Sequence, residues 1–381
     1  MNVKYAYAVA IARRPSWISV LAVAILPLLF ACSDSSDSLY SQAEAVEEPF
    51  TELFEQGIVR YLGLYSPMLS ETDGDVVNHF FGTGDGPLCG AGGGYSMATR
   101  DQGSDELVIF IEGGGACWSD FCFYVDETTT GIPSEGILDP QRENNPVRSW
   151  NQVYLPYCDG SLSAGDMDVD TDGDGVTDRF HRGLHNLSAS LDVAAATFPA
   201  PTRILLTGQS GGALSTIFAL PLVRYVYPDA QIDIVNDSGV GVARPDQPEF
   251  LQQLMDEWNM NAFIPASCDN CLAEDGHFTD YLIWQMDQDI SLRRALMSYT
   301  QDTVLADTFL QIGGPAFEQA LREELKQQEE AHPGRSYSWL PVGNGHTFLT
   351  GDPDKTAGSV PLMDWISAML SGSEEWVSVA D

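Results

Sequence analysis

Basic residues are scarce in this chain: 18 lysines and arginines stand against 55 aspartates and glutamates, a formal net charge of −37 at pH 7. So anionic a surface repels polyanions, which excludes a nucleic-acid partner and weighs against a highly charged polysaccharide. Charges of this density suit a salty or calcium-rich medium, where they are screened. The composition therefore favours a neutral substrate.

A long apolar run is missing beyond the N-terminus, and the chain has no internal repeat. The one early stretch, residues 17–30, follows three basic residues and is too short for a comfortable membrane span. It leads into Leu29-Phe-Ala-Cys32, which resembles the lipobox of bacterial lipoproteins. This resemblance implies a signal peptide over residues 1–31, cleavage before Cys32 and a lipid on its thiol. A plain secretory signal or a short anchor helix is the alternative.

The mature chain is expected to consist of a tether and one domain. Ser33 follows the cysteine, which by resemblance to bacterial sorting rules favours the outer membrane of the cell envelope. Residues 32–48 are rich in serine and acidic residues and predict a flexible tether. Residues 49–381 can form a single α/β domain. Without residues 1–31 the chain has 15 basic and 55 acidic side chains, a net charge of −40.

Cysteine is sparse but even in number once Cys32 is set aside, because six cysteines remain. An even number in an exported protein indicates disulfides rather than metal ligands. Short spacing favours Cys117–Cys122 and Cys268–Cys271, which leaves Cys89–Cys158. The sequence alone leaves the other pairings open.

The most informative motif is Gly208-Gln-Ser-Gly-Gly212, which follows the apolar run 203–207 and precedes a helical stretch at 211–226. A strand that ends in G-x-S-x-G and turns into a helix is the nucleophile elbow of an α/β-hydrolase. The glycines leave room for a strained turn that exposes the Ser210 hydroxyl. An ordinary turn between a strand and a helix is the alternative interpretation.

The order of apolar and helical segments predicts an α/β fold, with a mostly parallel central sheet flanked by helices and a cap insertion. The segment at about 244–291 interrupts the alternation, contains aromatic residues and one cysteine pair, and is predicted to be the cap. Strands are expected at 106–111, 152–157, 203–207, 231–236, 294–299 and 336–342, and helices at about 183–198, 211–226, 303–328 and 361–371.

In this fold the acid and then the histidine follow the nucleophile in the sequence. His346 lies in a glycine-rich loop directly after the last predicted strand, so it is the expected general base. Asp302, which follows the strand at 294–299, is the expected acid, and Asp237 is its rival. His181 and His185 have a spacing that can bind a metal on a helix, but packing is the better interpretation because no third ligand accompanies them.

Glycines follow a second predicted strand in Glu112-Gly-Gly-Gly-Ala-Cys-Trp118. An oxyanion needs backbone N–H groups that side chains do not block, so this segment, together with Gly211, is predicted to form an oxyanion hole. A loop that is merely flexible is the alternative.

Three stretches together resemble the pectin acetylesterase/Notum family of carboxylesterases: 110–118, Tyr157-Cys-Asp-Gly-Ser-Leu-Ser-Ala-Gly-Asp166 and 208–212. The resemblance covers the chain from about Cys89 to His346. It implies an α/β-hydrolase that removes short acyl groups from polysaccharides or a fatty acyl group from a protein. Carried over by position, it implies the triad Ser210, Asp302 and His346, the oxyanion donors Gly114, Gly115 and Gly211, an acyl-pocket role for Trp118 and an Asp159 that shapes the floor of the site.

The sequence departs from the family pattern at three places. Ala116 stands where many relatives carry a large aromatic residue, and Gly211 replaces a commoner alanine. The cysteine-rich surroundings of the histidine in plant members are missing around His346. The pocket is therefore expected to be wider, and the substrate of no single relative transfers directly.

An acidic insertion at 166–180 contains aspartates at alternate positions. Five of its residues match positions of an EF-hand-type calcium loop: Asp170, Asp172, Asp174, Val176 through its carbonyl, and Asp178. Position 12 is His181 rather than glutamate, which excludes a complete EF-hand. A structural Ca²⁺ of modest affinity is expected, with a solvated acidic loop as the alternative; no catalytic cofactor is expected.

The sequence thus predicts a lipid-anchored, secreted serine carboxylesterase, which deacylates by way of an acyl-enzyme. An O-acetylated polysaccharide is the leading substrate, and a lipid or polyester acyl ester is the alternative. A calcium-dependent surface binding protein with an inactive hydrolase core is a weaker hypothesis. A thiol redox protein that uses Cys268 and Cys271 is weaker still, because nothing around the pair resembles a thioredoxin.

Overall fold

A ten-stranded sheet runs through the computed structural model, which describes residues 48–245, 247–272 and 276–381. These residues belong to one compact unit, Glu47–Asp381. The predicted signal peptide, the lipidation site Cys32 and the tether up to residue 47 lie outside the described residues. None of the described helices combines the length and hydrophobicity needed to span a bilayer.

The elements alternate between strands and helices along most of the chain. The strands are β1 (Leu69–Asp73), β2 (Val76–Phe80), β3 (Ser96–Arg100), β4 (Glu106–Ile111), β5 (Gly115–Trp118), β6 (Phe121–Tyr124), β7 (Asn151–Leu155), β8 (Met167–Val169), β9 (Arg179–His181), β10 (Arg203–Gln209), β11 (Gln231–Asp237), β12 (Arg293–Met297), β13 (Ser336–Leu340), β14 (Thr356–Ala357), β15 (Val360–Pro361) and β16 (Val379–Ala380). The α-helices are α1 (Thr51–Glu55), α2 (Gly183–Thr197), α3 (Gly211–Val226), α4 (Phe250–Glu257), α5 (Thr279–Gln288), α6 (Gly314–Ala331) and α7 (Leu362–Ser371). Short 3₁₀ helices span Gly136–Leu138 and Asn261–Phe263, and a π-helix spans Val304–Phe309.

The sheet has the order β1-β2-β3-β7-β4-β10-β11-β12-β13-β16. Seven neighbouring strands of this sheet, in the order β7, β4, β10, β11, β12, β13 and β16, are parallel. At one edge, β1, β2 and β3 pair antiparallel, and β3 also pairs antiparallel with β7. The parallel strands are apolar on both sides because helices cover both faces of the sheet. This is the architecture of an α/β-hydrolase, and it confirms the predicted fold class.

Two hydrophobic clusters lie on opposite faces of the sheet. On β4, Leu107 and Ile109 pack into the cluster with α2 and α3, while Val108 and Phe110 pack into the cluster with α7. Alternate residues of a strand point to opposite faces, so a central strand that is covered on both faces has apolar residues at consecutive positions. Removing a side chain of Leu or Ile size from such a position costs about 2–5 kcal/mol.

All six predicted strands are confirmed, with ends that differ by no more than two residues. The antiparallel strands β1 to β3 were not predicted. All residues of β1 are exposed, and the β3 sequence mixes polar with small residues, so neither has the apolar run that the parallel strands show.

The predicted helix at 303–328 is wrong, because the segment contains two helices. The π-helix ends at Phe309, and α6 begins only at Gly314. Gly313 between them has φ of 81°, and Pro315 lacks the N–H that a continuing helix would need.

The segment predicted as a cap also has two parts. Helix α4 lies over the pocket described below. Helix α5 instead packs beside the sheet: the Gln285 amide donates to the carbonyl of Ile217 on α3, and Arg294 on β12 donates to Gln285 and to the carbonyl of Leu282. Helix α5 is therefore the crossover between β11 and β12.

Three disulfides link the six cysteines of the described chain: Cys89–Cys158, Cys117–Cys122 and Cys268–Cys271. This is the pairing that short spacing favours. Cys117–Cys122 joins the two strands of the β5–β6 hairpin, which reaches the site described next.

Candidate active site

Ser210 lies in the turn between β10 and α3, with φ of 55° and ψ of −125°. A positive φ is strained for a residue with a side chain, and such strain persists where the surroundings enforce it. The flanking glycines allow the backbone to pack closely around this turn. A Cβ on Gly212 would come within 2.2 Å of the Ile111 carbonyl oxygen, and one on Gly208 within 2.5 Å of the Gly212 oxygen. The turn has the backbone geometry that a nucleophile elbow requires.

His346 follows β13 and reaches back to the elbow. Its Nε2 lies 2.7 Å from Ser210 Oγ. The approach of this loop to the sheet depends on glycine, because a Cβ on Gly345 would lie 2.5 Å from the ring of Tyr299. The loop therefore packs flat against that ring and delivers the imidazole to the serine.

Asp302 lies behind the imidazole, 2.7 Å from Oδ2 to His346 Nδ1. Its other oxygen accepts the N–H groups of Val304 and Leu305 at 3.0 Å, and its side chain is fully buried. A carboxylate can only accept, so His346 carries its hydrogen on Nδ1 and leaves Nε2 free to accept from Ser210.

The structure thus brings together the three residues assigned to a triad from the sequence. A hydroxyl, an imidazole and a buried carboxylate in this order can remove the proton from the hydroxyl as it attacks a carbonyl carbon. Asp237, the rival acid, does not contact the imidazole; its carboxyl group accepts the N–H groups of Phe348 and Leu349 instead.

The glycine segment after β4 passes directly beside the elbow. A Cβ on Gly113 would lie 2.7 Å from the Gln209 carbonyl oxygen, and one on Gly211 would lie 2.8 Å from the carbonyl oxygen of Gly115. Gly115 and Gly211 line the pocket with Ser210, where backbone N–H groups can serve an oxyanion. Gly114 is not among the lining residues; a Cβ there would lie 2.4 Å from the Tyr157 ring.

An apolar pocket opens beside Ser210, and the centres of water-sized molecules can occupy about 80 Å³ of it. Apart from the Ser210 hydroxyl and backbone atoms, its wall is hydrocarbon and aromatic. Trp118 belongs to this wall, as the family resemblance implies, and so does Ala116. The remaining lining residues are Gly115, Gly211, Leu162, Leu214, Val242, Ala243, Phe250, Leu251, Leu254, Trp258, Phe278, Leu305, Phe309 and Leu310.

Sequence reasoning missed most of this wall. Phe250, Leu251 and Leu254 share one face of α4, so their helical spacing could have identified a buried face, but not what it covers. Leu305 and Phe309 belong to the π-helix that follows Asp302, so one short segment supplies both the acid and part of the pocket. Such a pairing depends on long-range packing.

Asp159 does not line the pocket. Its Oδ2 accepts hydrogen bonds from the Ser161 hydroxyl at 2.6 Å and from the N–H groups of Ser161 and Ser163. Burial raises its pKa, and these hydrogen bonds oppose the rise. Asp159 therefore folds the loop that presents Leu162 to the pocket.

The acidic loop connects β8 and β9. The carboxylates of Asp170, Asp172 and Asp174 are exposed, and one oxygen from each lies within 4.8 Å of the others. Oxygen donors grouped in this way suit a hard cation such as Ca²⁺. Asp178 instead accepts from the Thr171 hydroxyl and N–H, and these bonds lower its pKa. Val176 is exposed at the end of the loop.

His181 and His185 are packed, in line with the non-metal interpretation. His181 lies at the end of β9 rather than on a helix; its Nδ1–H donates to the Asp159 carbonyl, and burial lowers its pKa to about 4. His185 lies between the Tyr65 hydroxyl and the Asp166 carboxylate, at 2.8 and 2.9 Å.

Comparison with known proteins agrees with this geometry. The family model described as pectinacetylesterase matches residues 82–308. Pectin acetylesterase 4 of Arabidopsis thaliana is 30% identical over 150 residues, which is 36% of this chain and 36% of the relative. Pectin acetylesterase 11 of the same plant is 26% identical over 193 residues, 46% of this chain and 48% of the relative.

An animal protein is similar over a shorter region. Palmitoleoyl-protein carboxylesterase notum2 of Xenopus laevis is 30% identical over 98 residues, 22% of this chain and 20% of the relative. The matched regions span less than half the length of these curated relatives. Since the family model covers more than half of the 381 residues, the chain belongs to the pectinacetylesterase family.

Proposed function

We propose that this protein is a serine carboxylesterase that removes acyl groups by way of an acyl-enzyme. The observation that carries the proposal is the chain of hydrogen bonds from Ser210 through His346 to Asp302, at the mouth of an apolar pocket. The names of the relatives, which are pectin acetylesterases and a palmitoleoyl-protein carboxylesterase, support the same chemistry.

The reaction proceeds in two steps. Ser210 Oγ attacks the ester carbonyl carbon while His346 Nε2 takes its proton, and the N–H groups of Gly115 and Gly211 stabilise the oxyanion. We assign Gly114 the same role on resemblance alone. His346 then gives the proton to the leaving alcohol, and water releases the acid from Ser210 by the same route in reverse. Asp302 holds the imidazole in the required tautomer and stabilises its positive charge.

Hydrolysis of p-nitrophenyl acetate tests the proposal. Ser210→Ala should lower kcat by about 10³-fold or more, because loss of the nucleophile leaves only binding and the oxyanion hole. Ser190→Ala is a matched control, since this serine is buried on α2 outside the pocket lining. Undiminished hydrolysis by a folded Ser210→Ala protein would refute the proposal.

An O-acetylated polysaccharide is the leading substrate, on the strength of the names of the plant relatives. The net charge of −37 supports a neutral or well-esterified polymer, because a polyanion would be repelled. Acetate release from such a polymer, compared before and after its carboxyl groups are de-esterified, tests this choice. Faster release from the charged polymer would contradict it.

One observation favours a second substrate class, an ester with a longer acyl chain. The pocket wall is apolar well beyond what an acetyl group contacts. Its aromatic lining continues outward, from Trp118 through Phe121 and Phe309 to Phe123, which is 68% exposed. A series of p-nitrophenyl esters separates the two: kcat/KM that falls steadily from acetate onward supports acetyl, and a maximum at a longer chain supports a lipid or polyester.

Three further features belong to this proposal. A Ca²⁺ held by Asp170, Asp172 and Asp174, with the Val176 carbonyl and Asp178 as expected additional ligands, would brace the insertion without taking part in the reaction. The lipidated Cys32 would anchor the protein to a bacterial membrane, with the outer membrane as the expected location. The domain would extend over residues 49–381, with a signal peptide at 1–31 and a tether at 32–48.

The alternative function is that of a calcium-dependent binding protein without enzymatic activity. Hydrolysis of p-nitrophenyl acetate that is lost in Ser210→Ala would exclude it, and no hydrolysis by the wild-type protein would support it.

A further inference from the structure

Asp237 is a buried carboxyl group beside the site that the triad does not use. It ends β11, directly next to the nucleophile strand, and its side chain is fully buried. Its carbonyl accepts the N–H of Ser210 at 2.8 Å. Its Oδ2 accepts the N–H groups of Phe348 and Leu349, each at 2.8 Å. One residue thus holds both the elbow and the backbone that follows His346.

Ser238 holds the same loop at His346 itself. Its hydroxyl donates to the carbonyl oxygen of His346, and it also lies 3.2 Å from Asp237 Oδ1. A hydroxyl has one hydrogen, and a carbonyl can only accept, so Ser238 gives its hydrogen to His346. The contact with Asp237 is then a hydrogen bond only if the carboxyl group is the donor.

The surroundings agree with a neutral Asp237. The titratable groups that interact with it are His346 and Tyr299, and neither is a fixed cation. Burial raises the pKa of Asp237 to about 7, against the lowering effect of the two N–H bonds, of His346 and of the neighbouring Ser238 hydroxyl. A carboxyl group without a cationic partner is stabilised in its protonated form by burial.

We propose that Asp237 acts as a neutral acid that positions the catalytic histidine, donating to Ser238 and accepting from Phe348 and Leu349. The inference rests on the proposed esterase function. These bonds fix the backbone from the His346 carbonyl to Leu349, so that the ring of His346 bridges Ser210 and Asp302. Asp237 forms no hydrogen bond with the ring and does not line the pocket, so it is a positioning residue rather than a catalytic one.

Ionisation of Asp237 should weaken this arrangement. The carboxylate would compete with the His346 carbonyl for the hydrogen of Ser238, so kcat should decline on the alkaline side of about pH 7. The stability of the folded protein should also decrease with rising pH. The pKa of Asp237 is about 7 in the folded protein and about 3.8 in the unfolded chain, so the folded protein binds this proton more tightly. The free energy of unfolding should therefore fall as pH rises from about 4 to about 7.

The test compares Asp237→Asn with Asp237→Ala, using kcat and KM for soluble p-nitrophenyl esters between about pH 6 and pH 9. Asparagine offers a carbonyl for Phe348 and Leu349 and an N–H for Ser238, so it imitates the neutral acid. We expect Asp237→Asn to keep kcat within about threefold and to lose the alkaline decline. Asp237→Ala should lose about 10- to 100-fold in kcat with KM nearly unchanged, because the imidazole is misplaced.

Asp233→Asn is the matched control. Asp233 is also fully buried on β11, but it pairs with Arg203 and Arg293 at the far end of the strand. Its substitution should lower stability and leave the pH profile of kcat unchanged. If Asp237→Ala does not fold, Asp237→Asn and its pH profile decide alone.

Two results would overturn the inference: wild-type kcat and pH profile in Asp237→Ala, or an Asp237→Asn variant as impaired as Asp237→Ala. The second would mean that the negative charge is what matters. Failure of the esterase function is distinguishable, because the wild-type protein itself would then hydrolyse none of the esters.

Discussion

At the residue scale, Ala116 is one of the smallest side chains in the wall of the pocket beside Ser210. It lines the pocket in the strand that also contains Gly115 and Trp118, and the family resemblance implies a large aromatic residue at this position in many relatives. A small residue at this position leaves space for a longer acyl chain. We therefore expect the size of this side chain to affect which acyl chains the pocket accepts.

We predict that Ala116→Phe narrows the substrate range. kcat/KM should fall at least about tenfold for p-nitrophenyl hexanoate, because lost methylene contacts and overlap are worth about 1–3 kcal/mol, and by much less for the acetate. Steady-state kinetics on the two esters measure the ratio. An equal loss on both esters, or none, would show that Ala116 does not limit the acyl chain.

The sequence made some site residues visible and hid others. Ser210 and His346 stand among glycines that their turns require, so local pattern identified them, and Asp302 followed from its place after a predicted strand. The role proposed for Asp237 depends on hydrogen bonds with Phe348 and Leu349, which lie more than 100 positions later in the chain. No local sequence pattern encodes such contacts.

At the element scale, the β5–β6 hairpin couples the pocket wall to the oxyanion segment. Gly115 lies in β5 with φ of 80°, and a Cβ there would come within 2.1 Å of the Phe123 carbonyl oxygen. Cys117 and Cys122 are directly opposite each other and are disulfide-bonded. The disulfide therefore holds the strand whose backbone faces Ser210.

We predict that replacing both Cys117 and Cys122 by alanine lowers kcat about 10-fold or more, since misplaced oxyanion donors lose most of their effect. The double replacement of Cys268 and Cys271, which bridges a loop away from Ser210, is the matched control and should leave kcat within about threefold. Ester hydrolysis and thermal unfolding of both variants provide the measurement. Equal kcat values for the two double variants would show that the hairpin disulfide does not position the site.

The β8–β9 hairpin presents the acidic loop. Asp170, Asp172 and Asp174 repel one another unless a cation lies between them, and their exposure suits a site of modest affinity. The sequence did not predict the hairpin itself. The spacing of the aspartates predicted only an acidic loop that could bind a cation.

We predict that Ca²⁺ at about 5 mM raises the Tm, because a cation that binds only the folded loop stabilises it by mass action. Mg²⁺ at the same concentration should have a smaller effect, and Asp172→Asn should remove most of the Ca²⁺ effect. Differential scanning calorimetry and calcium titration calorimetry make the measurement. An unchanged Tm would indicate a solvated acidic loop.

Elements with strong local signals were the predictable ones. The buried parallel strands contain short runs of apolar residues, and β4 and β10 to β13 were predicted from those runs. The antiparallel edge, the β5–β6 hairpin and the division of the helix at Gly313 depend on pairing and turn geometry, which long-range contacts decide.

At the scale of the whole molecule, the charge of −37 is a source of repulsion that the fold must tolerate. Several buried or half-buried arginines are paired with aspartates, such as Arg224 with Asp289. With 18 basic and 55 acidic residues, however, the chain has too few lysines and arginines to pair with most of its acidic side chains. Self-repulsion of this size destabilises the compact state and is screened by salt.

We predict that the Tm at pH 7 rises by several degrees between about 10 and 300 mM NaCl, because the Debye length falls from about 30 Å to below 10 Å. Equal concentrations of sorbitol, which adds no ions, serve as the control. A Tm that stays constant or falls with NaCl would mean that local ion pairs outweigh the overall repulsion.

The central claim is that Ser210 is a nucleophile activated by His346. Diethyl p-nitrophenyl phosphate tests it most directly: the serine oxygen bonds to phosphorus as p-nitrophenolate leaves, and peptide mass spectrometry locates the product. We expect one phosphoryl group per chain, on the peptide that contains Ser210, with parallel loss of ester hydrolysis and no labelling of His346→Ala. Labelling elsewhere, or full hydrolysis after Ser210 is modified, would contradict the account.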